Sequence, residues 1–362
     1  MQKLTTETSL IALANEKVDS SVRGLIGRAR GQGGTARMLV ILVASFAFFT
    51  MLQPEIFLNP VNLQNIAIAS PEIGVISIAM MLAMLTGGID LSLVAIANLT
   101  AITITTLYSG LAAEDPEAAR VAMPFIVLLG FVVGLAGGAI NGFLISRVGI
   151  TPILATLGTM QIYNGLAIVW TGGSTLYGAP EALTALGDVG ILYVPSLFIM
   201  FVLIAAGVGF FLNRTSLGRR ALLLGTNPVA AKYSGINSKD VLMKVYVMAG
   251  GLGGVAGILF LVRNPTSSAD YGSSYLLLAI VIAVLGGTNP AGGFATVWGV
   301  LFATLTLQVV SSGFTAVRLS AYEYSLTQGL ILIAVMVLDQ ISSRRRLKPK
   351  KIRRGTAAAP TE

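Results

Sequence analysis

The 362-residue chain contains neither cysteine nor histidine. Without cysteine there is no disulfide framework and no thiolate chemistry. Without histidine, the usual metal ligand and the usual general base near neutral pH are both missing. Charge is scarce too. Only 11% of residues are charged, against about 25% in ordinary soluble domains. No Gly-x-x-x-x-Gly-Lys-Ser/Thr stretch occurs, nor any Gly-Lys pair, so the common phosphate loop for ATP is absent. Paired-acid and histidine-based catalysis therefore lack the residues to carry them, which argues against a membrane enzyme.

What the chain has in quantity is apolar sequence, 54% of residues. It falls in runs near the length of roughly 20 residues that spans a bilayer core. Ten runs can be marked: Met38–Leu52, Ile66–Leu85, Leu91–Tyr108, Ala122–Ile145, Pro152–Trp170, Pro195–Leu212, Val245–Leu261, Tyr275–Leu285, Phe294–Ser312 and Ser325–Leu338. The first is short and borrows flanking residues. The eighth is short enough to be a half-helix or a tilted span. The expectation is an all-α polytopic membrane protein of about ten spans.

The net charge of +8 does not indicate nucleic acid, because the basic residues lie at the ends and in one loop. It orients the spans instead. With a cytoplasmic N-terminus and ten spans, all 24 Lys and Arg except Arg120, Arg263 and Arg318 face the cytoplasm, as the positive-inside rule requires. The acidic cluster of Glu114, Asp115 and Glu117 falls outside. Both termini are then cytoplasmic. The chain divides into a tail at 1–37, with a short amphipathic helix near Val18–Ile26, a transmembrane domain at 38–342 and a basic tail at 343–362.

Polar residues within the runs are few. Glu72 follows Pro71 in the second run. It lines a polar path, or is hydrogen-bonded to another helix, or snorkels outward. Asn98, Asn141, Gln161 and Asn164 could hydrogen-bond a polyol or could tie helices together. Asp90, in the Gly87-Gly88-Ile89-Asp90 turn, is placed to cap the third span. The turn Gly286-Gly287-Thr288-Asn289 is alike, which suggests a trace of internal duplication. Thr151-Pro152 and Asn289-Pro290 read as helix starts. Glycines at 130, 134, 138 and 142, and the pairs Gly250/Gly254 and Gly253/Gly257, read as helix-packing seams.

The longest inner loop, 213–244, contains a short helix at Pro228–Ser234, capped by Asn227 and stopped by Gly235. With small Ala230 and Ala231 exposed to cytosol, it is a plausible docking element.

Four stretches resemble the permease subunits of bacterial ATP-binding-cassette importers for monosaccharides, the ribose-type branch. They are Thr86–Ser92 (TGGIDLS), Asn141–Met160 (NGFLISRVGITPILATLGTM), Gly225–Ile236 (GTNPVAAKYSGI) and Gly286–Gly293 (GGTNPAGG). The resemblance covers roughly Asn62 to Asp339. It implies the fold of the larger, vitamin-B12-type importer permeases in a bacterial inner membrane. It implies a second permease, identical or not, two ATPase subunits on the cytoplasmic face and a sugar-binding protein outside. ATP would be bound by the partner subunits and no cofactor by this chain. The segment Asn227, Pro228, Ala230, Ala231, Ser234, Gly235 and Ile236 would be the coupling helix and its end. Before the eighth run the family often carries an acidic pair; here the matching stretch is Gly272–Leu278 (GSSYLLL), which leaves other monosaccharides, sugar alcohols and autoinducer-like sugars open. The alternative is an ion-coupled secondary transporter, for which Glu72 is the one candidate coupling group.

Overall fold

Several helices of this chain begin where a capping side chain meets a proline. Asn59 accepts the Val61 N–H at 2.9 Å, just ahead of Pro60. Asp115 accepts the Glu117 and Ala118 N–H groups ahead of Pro116. Each cap satisfies backbone donors that the first turn leaves free, and proline at that position loses no hydrogen bond. These starts lie beyond the ends of the apolar runs. The helices of the second and fourth runs are therefore longer than the runs that announced them.

A computed structural model describes residues 34–320 apart from Leu192, together with scattered positions between 322 and 333. The expected helix near Val18–Ile26, most of the tenth expected span (Ser325–Leu338) and the basic tail 343–362 lie outside the described residues. In order, the helices are α1 (Gly34–Leu52), α2 (Pro54–Phe57), α3 (Pro60–Leu85), α4 (Leu93–Glu114), α5 (Pro116–Phe143), α6 (Pro152–Thr171), α7 (Glu181–Asp188), α8 (Ser196–Arg214), α9 (Ser216–Thr226), α10 (Pro228–Tyr233), α11 (Ser238–Arg263), α12 (Tyr275–Leu285) and α13 (Val297–Ala316). A π-helical turn, Leu144–Val148, extends α5. Two antiparallel pairs of two-residue strands sit between helices. β1 (Leu176–Tyr177) pairs with β4 (Thr266–Ser267), and β2 (Gly190–Ile191) with β3 (Val194–Pro195).

Among the described residues, eight helices are long and apolar enough to cross a membrane: α1, α3, α4, α5 with its π-turn, α6, α8, α11 and α13. They correspond to the first seven apolar runs and the ninth. The first does borrow flanking residues, beginning at Gly34. The eighth run is α12, of 11 residues. At 1.5 Å per residue it extends only about 16 Å, roughly half of a bilayer core. It is thus a half-helix, too short to span the core by itself. Asn289-Pro290 does not start a helix. Gly292 and Gly293 follow with φ of 95° and 83°, a left-handed backbone that a helix cannot continue through, and α13 begins only at Val297.

The core is built around α3 and α11. Every residue of α3 from Ser70 to Leu85 is buried. Helix α11 carries glycine on two faces. A Cβ added at Gly250 would strike the backbone of Gly134 and Gly138 of α5. One added at Gly257 would strike Ala97 of α4. The two faces are thus backbone-to-backbone seams, the close approach that small residues permit. Gly130, the first member of the α5 series, instead meets Ile104 of α4. Helix α13 lies between α1 and α3, with Phe49 of α1 against Gly313. Arg37 at the start of α1 donates to the Leu285 carbonyl at 3.2 Å, a cation on the open C-terminal end of α12.

From Leu319 the chain forms a separate unit. Within it, Ser320 N–H and Oγ–H donate to the Glu323 carboxylate at 2.6 and 2.9 Å, and the Glu323 N–H donates to Ser320 Oγ at 3.4 Å. This is a reciprocal capping box, and the described positions that follow it are helical.

Candidate coupling surface and buried polar clusters

Helix α10 is short, capped and nearly bare. Asn227 Oδ1 accepts the Val229 and Ala230 N–H groups at 3.1 and 3.0 Å. Gly235, at φ 74°, ends the turn. Asn227, Pro228, Ala230, Ser234 and Gly235 are exposed and Ile236 is half-buried. Ala231 departs from the expectation that it faces the cytosol: it is 3% exposed, because it is on the side of α10 turned toward the protein. The exposed apolar surface comes from Val229 and Tyr233, at 64% and 89%, two residues that sequence reasoning passed over. Pro228, Val229, Lys232, Tyr233 and Ser238 line an open hollow of about 600 Å³. An i, i+4 pair of large side chains on a short helix was the signal that could have found them.

Directly before α10, three chain segments meet mainly through backbone. The Gly293 N–H donates to the Leu85 carbonyl at 2.9 Å. Gly225 lies against both, and an added Cβ there would fall on Leu85 O and within 2.5 Å of Gly293 N. Thr226 Oγ1 donates to the Gly293 carbonyl at 3.4 Å. The ends of α3, α9 and the turn after α12 thus form one joint. With Gly87 lying against Gly292, it unites three of the four sequence stretches singled out above. The two similar turns also match in backbone. The Gly88 N–H bonds to Ala83 O and the Thr288 N–H to Ala283 O, with Gly87 and Gly287 at φ 81° and 93°. Both are Schellman closures. The correspondence runs one residue out of step with the paired glycines, so that Gly87 matches Gly287 and Gly88 matches Thr288.

A second cluster gathers the polar residues of the first two motifs. Asp90 is fully buried. It is not the residue immediately before α4; that is Ser92. Asp90 Oδ1 instead accepts the Ser92 N–H at 3.0 Å and its Oγ–H at 2.7 Å. Asn141 of α5 donates to Ser92 Oγ at 2.7 Å and accepts from Thr159 Oγ1 of α6 at 2.6 Å. Thr156 of the same helix accepts the Leu91 N–H at 3.1 Å. The hydrogen bonds bind the turn 86–92 to two further helices, and the side chains of Asp90, Ser92, Asn141, Thr156 and Thr159 are all buried.

The third cluster surrounds Glu72, which is 1% exposed. Arg263 Nη1 at the end of α11 donates to its Oε2 at 2.7 Å. Tyr271 donates to Oε1 at 3.1 Å and Tyr275 to Oε2 at 3.3 Å. Asn98 of α4 belongs to the same neighbourhood. Its amide donates to the carbonyls of Ala269 and Tyr271 at 2.7 and 2.9 Å, which draws the segment 264–274 back along α4. Asn98 Oδ1 is buried without a hydrogen-bond partner.

The remaining candidates stand apart. Gln161 is exposed and Asn164 half-buried on α6, away from both clusters. The residues that pair with Glu72, namely Arg263, Tyr271 and Tyr275, were not singled out from the sequence. They lie roughly 190 or more positions along the chain from it, and no local pattern joins them.

Comparison with known proteins bears on the whole chain. Residues 62–336 match the family described as branched-chain amino acid transport system / permease component. The D-allose transport system permease protein AlsC of Escherichia coli (strain K12) is 30% identical over 311 residues, covering 86% of this chain and 92% of that protein. The ribose import permease protein RbsC of Bacillus subtilis (strain 168) is 32% identical over 309 residues, 84% of this chain and 91% of the relative. The autoinducer 2 import system permease protein LsrD of Salmonella typhimurium is 29% identical over 279 residues, 75% and 81% respectively. No solved structure matches the chain.

Proposed function

The chain belongs to the family of branched-chain amino acid transport system permease components, and from that premise we propose that it is the membrane-spanning subunit of an ATP-driven importer for a monosaccharide, sugar alcohol or related small polyol. The solute class follows the relatives named for D-allose, ribose and autoinducer 2. The chain has no phosphate loop, so ATP hydrolysis belongs to two separate ATPase subunits. A second permease, identical or not, completes the membrane part, and an extracytoplasmic solute-binding protein delivers the cargo. The proposed setting is the bacterial inner membrane, with ten spans, the eighth made of α12 together with the folded-back 264–274 segment, both termini cytoplasmic and a permease domain at 38–342 resembling the vitamin-B12-type importers.

The observation that carries the reading is α10. It offers Val229 and Tyr233 to solvent beside an open hollow, and it leaves directly from the joint that ties α3, α9 and the turn after α12. A helix so placed passes the movement of a docked ATPase into the membrane helices. Cargo would cross by alternating access, along a path to which Glu72, Asn98, Asn141, Gln161 and Asn164 are assigned. Of these, Asn98 is the one with a buried acceptor free, and a passing hydroxyl can satisfy it.

The ion-coupled alternative is less favoured. A coupling carboxylate must be free to take up and release its ion, whereas Glu72 holds three hydrogen-bond donors, Arg263 among them. The test is uptake of labelled ribose, allose and related polyols in cells expressing the chain with its ATPase and binding protein. Uptake should stop when ATP is depleted and persist when the proton gradient is collapsed. The reverse pattern overturns the proposal.

A further inference from the structure

Two of the clusters lie on one helix. The C-terminal end of α3, Leu85, accepts from Gly293 in the joint beside α10. Thirteen residues earlier, Glu72 holds Arg263, Tyr271 and Tyr275. At 1.5 Å per residue the two points are roughly 20 Å apart. Every residue between them is buried, against α11, α12, α13 and α8. A close-packed helix of this kind moves as a body, since packed interiors do not deform continuously.

The contacts at its two ends differ in kind. The joint is mainly backbone against backbone, with Gly225 and Gly293 bearing no side chain that could absorb a displacement and the Thr226 hydroxyl added to it. The Glu72 cluster is a charge-assisted contact, and its partners lie on other parts of the chain: the end of α11, the segment 264–274 and the first residue of α12. Asn98 and the β1–β4 pair hold the other side of that segment. A shift of α3 relative to α11 therefore has one place to be felt first, the hydrogen bonds to Glu72.

We propose that the buried half of α3 is a rod between the joint that bears α10 and the Glu72–Arg263–Tyr271–Tyr275 cluster, and that this cluster is a latch holding the 264–274 segment in its folded-back position. The latch rests on the importer reading for its purpose, since release would open or close the path from the side opposite α10. The coupling itself does not depend on that reading. Arg263, Tyr271 and Tyr275 are positioning residues here: they act through α3 and need not touch cargo.

Coupling of this kind is reciprocal, which supplies the test. Hydrogen exchange is followed by mass spectrometry on the full-length chain in lipid nanodiscs, without partners. Glu72→Gln keeps the shape and removes the charge. It should speed exchange in 264–274, and also in 286–293 at the other end of the rod, by about five-fold or more. Thr226→Val, at the joint, should speed exchange in 264–274 by a similar factor. If each substitution loosens only its own end, the rod is refuted. Should Glu72→Gln fail to accumulate, Tyr275→Phe removes one latch hydrogen bond and is held to the same two readings. With partners restored, Glu72→Gln should also raise ATP hydrolysis in the absence of cargo while lowering uptake. Unchanged values for both would overturn the latch. A wild-type chain showing no ATP-driven uptake would instead sink the importer reading, leaving the exchange result to judge the coupling.

Discussion

Asn141 shows how one side chain holds three helices. Its amide nitrogen serves Ser92 at the head of α4 and its amide oxygen takes the proton of Thr159 on α6, while its own backbone belongs to α5. Asn141→Leu removes both functions, leaving the buried Ser92 Oγ without its donor and Thr159 without its shorter hydrogen bond. Unsatisfied buried groups cost about 1–3 kcal/mol each. The variant should therefore melt well below wild type in detergent, and Thr159→Val should melt between the two. Equal melting of all three would show that the cluster contributes nothing to stability. The glycines divide by the same local logic. At Gly138 a side chain would meet the backbone of Tyr246 and Gly250, whereas Gly158 has open space around it. Gly138→Val should abolish accumulation of folded protein in the membrane and Gly158→Ala should leave it intact. Overpacking of a tight contact costs about 1–3 kcal/mol or more.

At the scale of elements, α10 and α12 are each defined by what they lack. Helix α10 is too short to be stable alone and depends on the seat of Ala231 and on the Asn227 cap. This separates two substitutions that the sequence alone would group together. Tyr233→Arg changes an exposed face: it should leave thermal stability unchanged and remove the coupling of ATP hydrolysis to uptake. Ala231→Arg forces a charge into a buried site, and should lower stability as well as coupling. If Tyr233→Arg transports normally, α10 is not the docking element. Helix α12 lacks the length to cross by itself. Its turn resembles the one after α3 because both close helices of the same direction at the same joint.

For the whole molecule, the charge distribution predicts a topology that can be measured directly. The natural absence of cysteine makes the chain a clean background. A single cysteine in place of Glu117 should react with a membrane-impermeant maleimide from outside intact cells. One in place of Ser234 should react only after permeabilisation. Labelling of both from the same side would overturn the orientation, and with it the cytoplasmic placing of α10. Family membership bears on the same scale, because the match spans residues 62–336 and so includes every cluster described.

The sequence by itself determined that this is a helical membrane protein, where most helices lie, which side the charges favour and which family it resembles. These follow from composition, run length and local caps, properties that each stretch carries regardless of its neighbours. The same local signals announced the shortness of the eighth run and the short helix at Pro228. Only the tertiary structure decided that Ala231 faces inward while Val229 and Tyr233 face out, that Asn289-Pro290 turns instead of starting a helix, and that the two similar turns align one residue out of step. It alone brought Arg263, Tyr271 and Tyr275 to Glu72. A buried carboxylate must find partners, but nothing in a local stretch says which distant residues supply them; that choice is made when α3 packs against α11 and the segment 264–274 folds back.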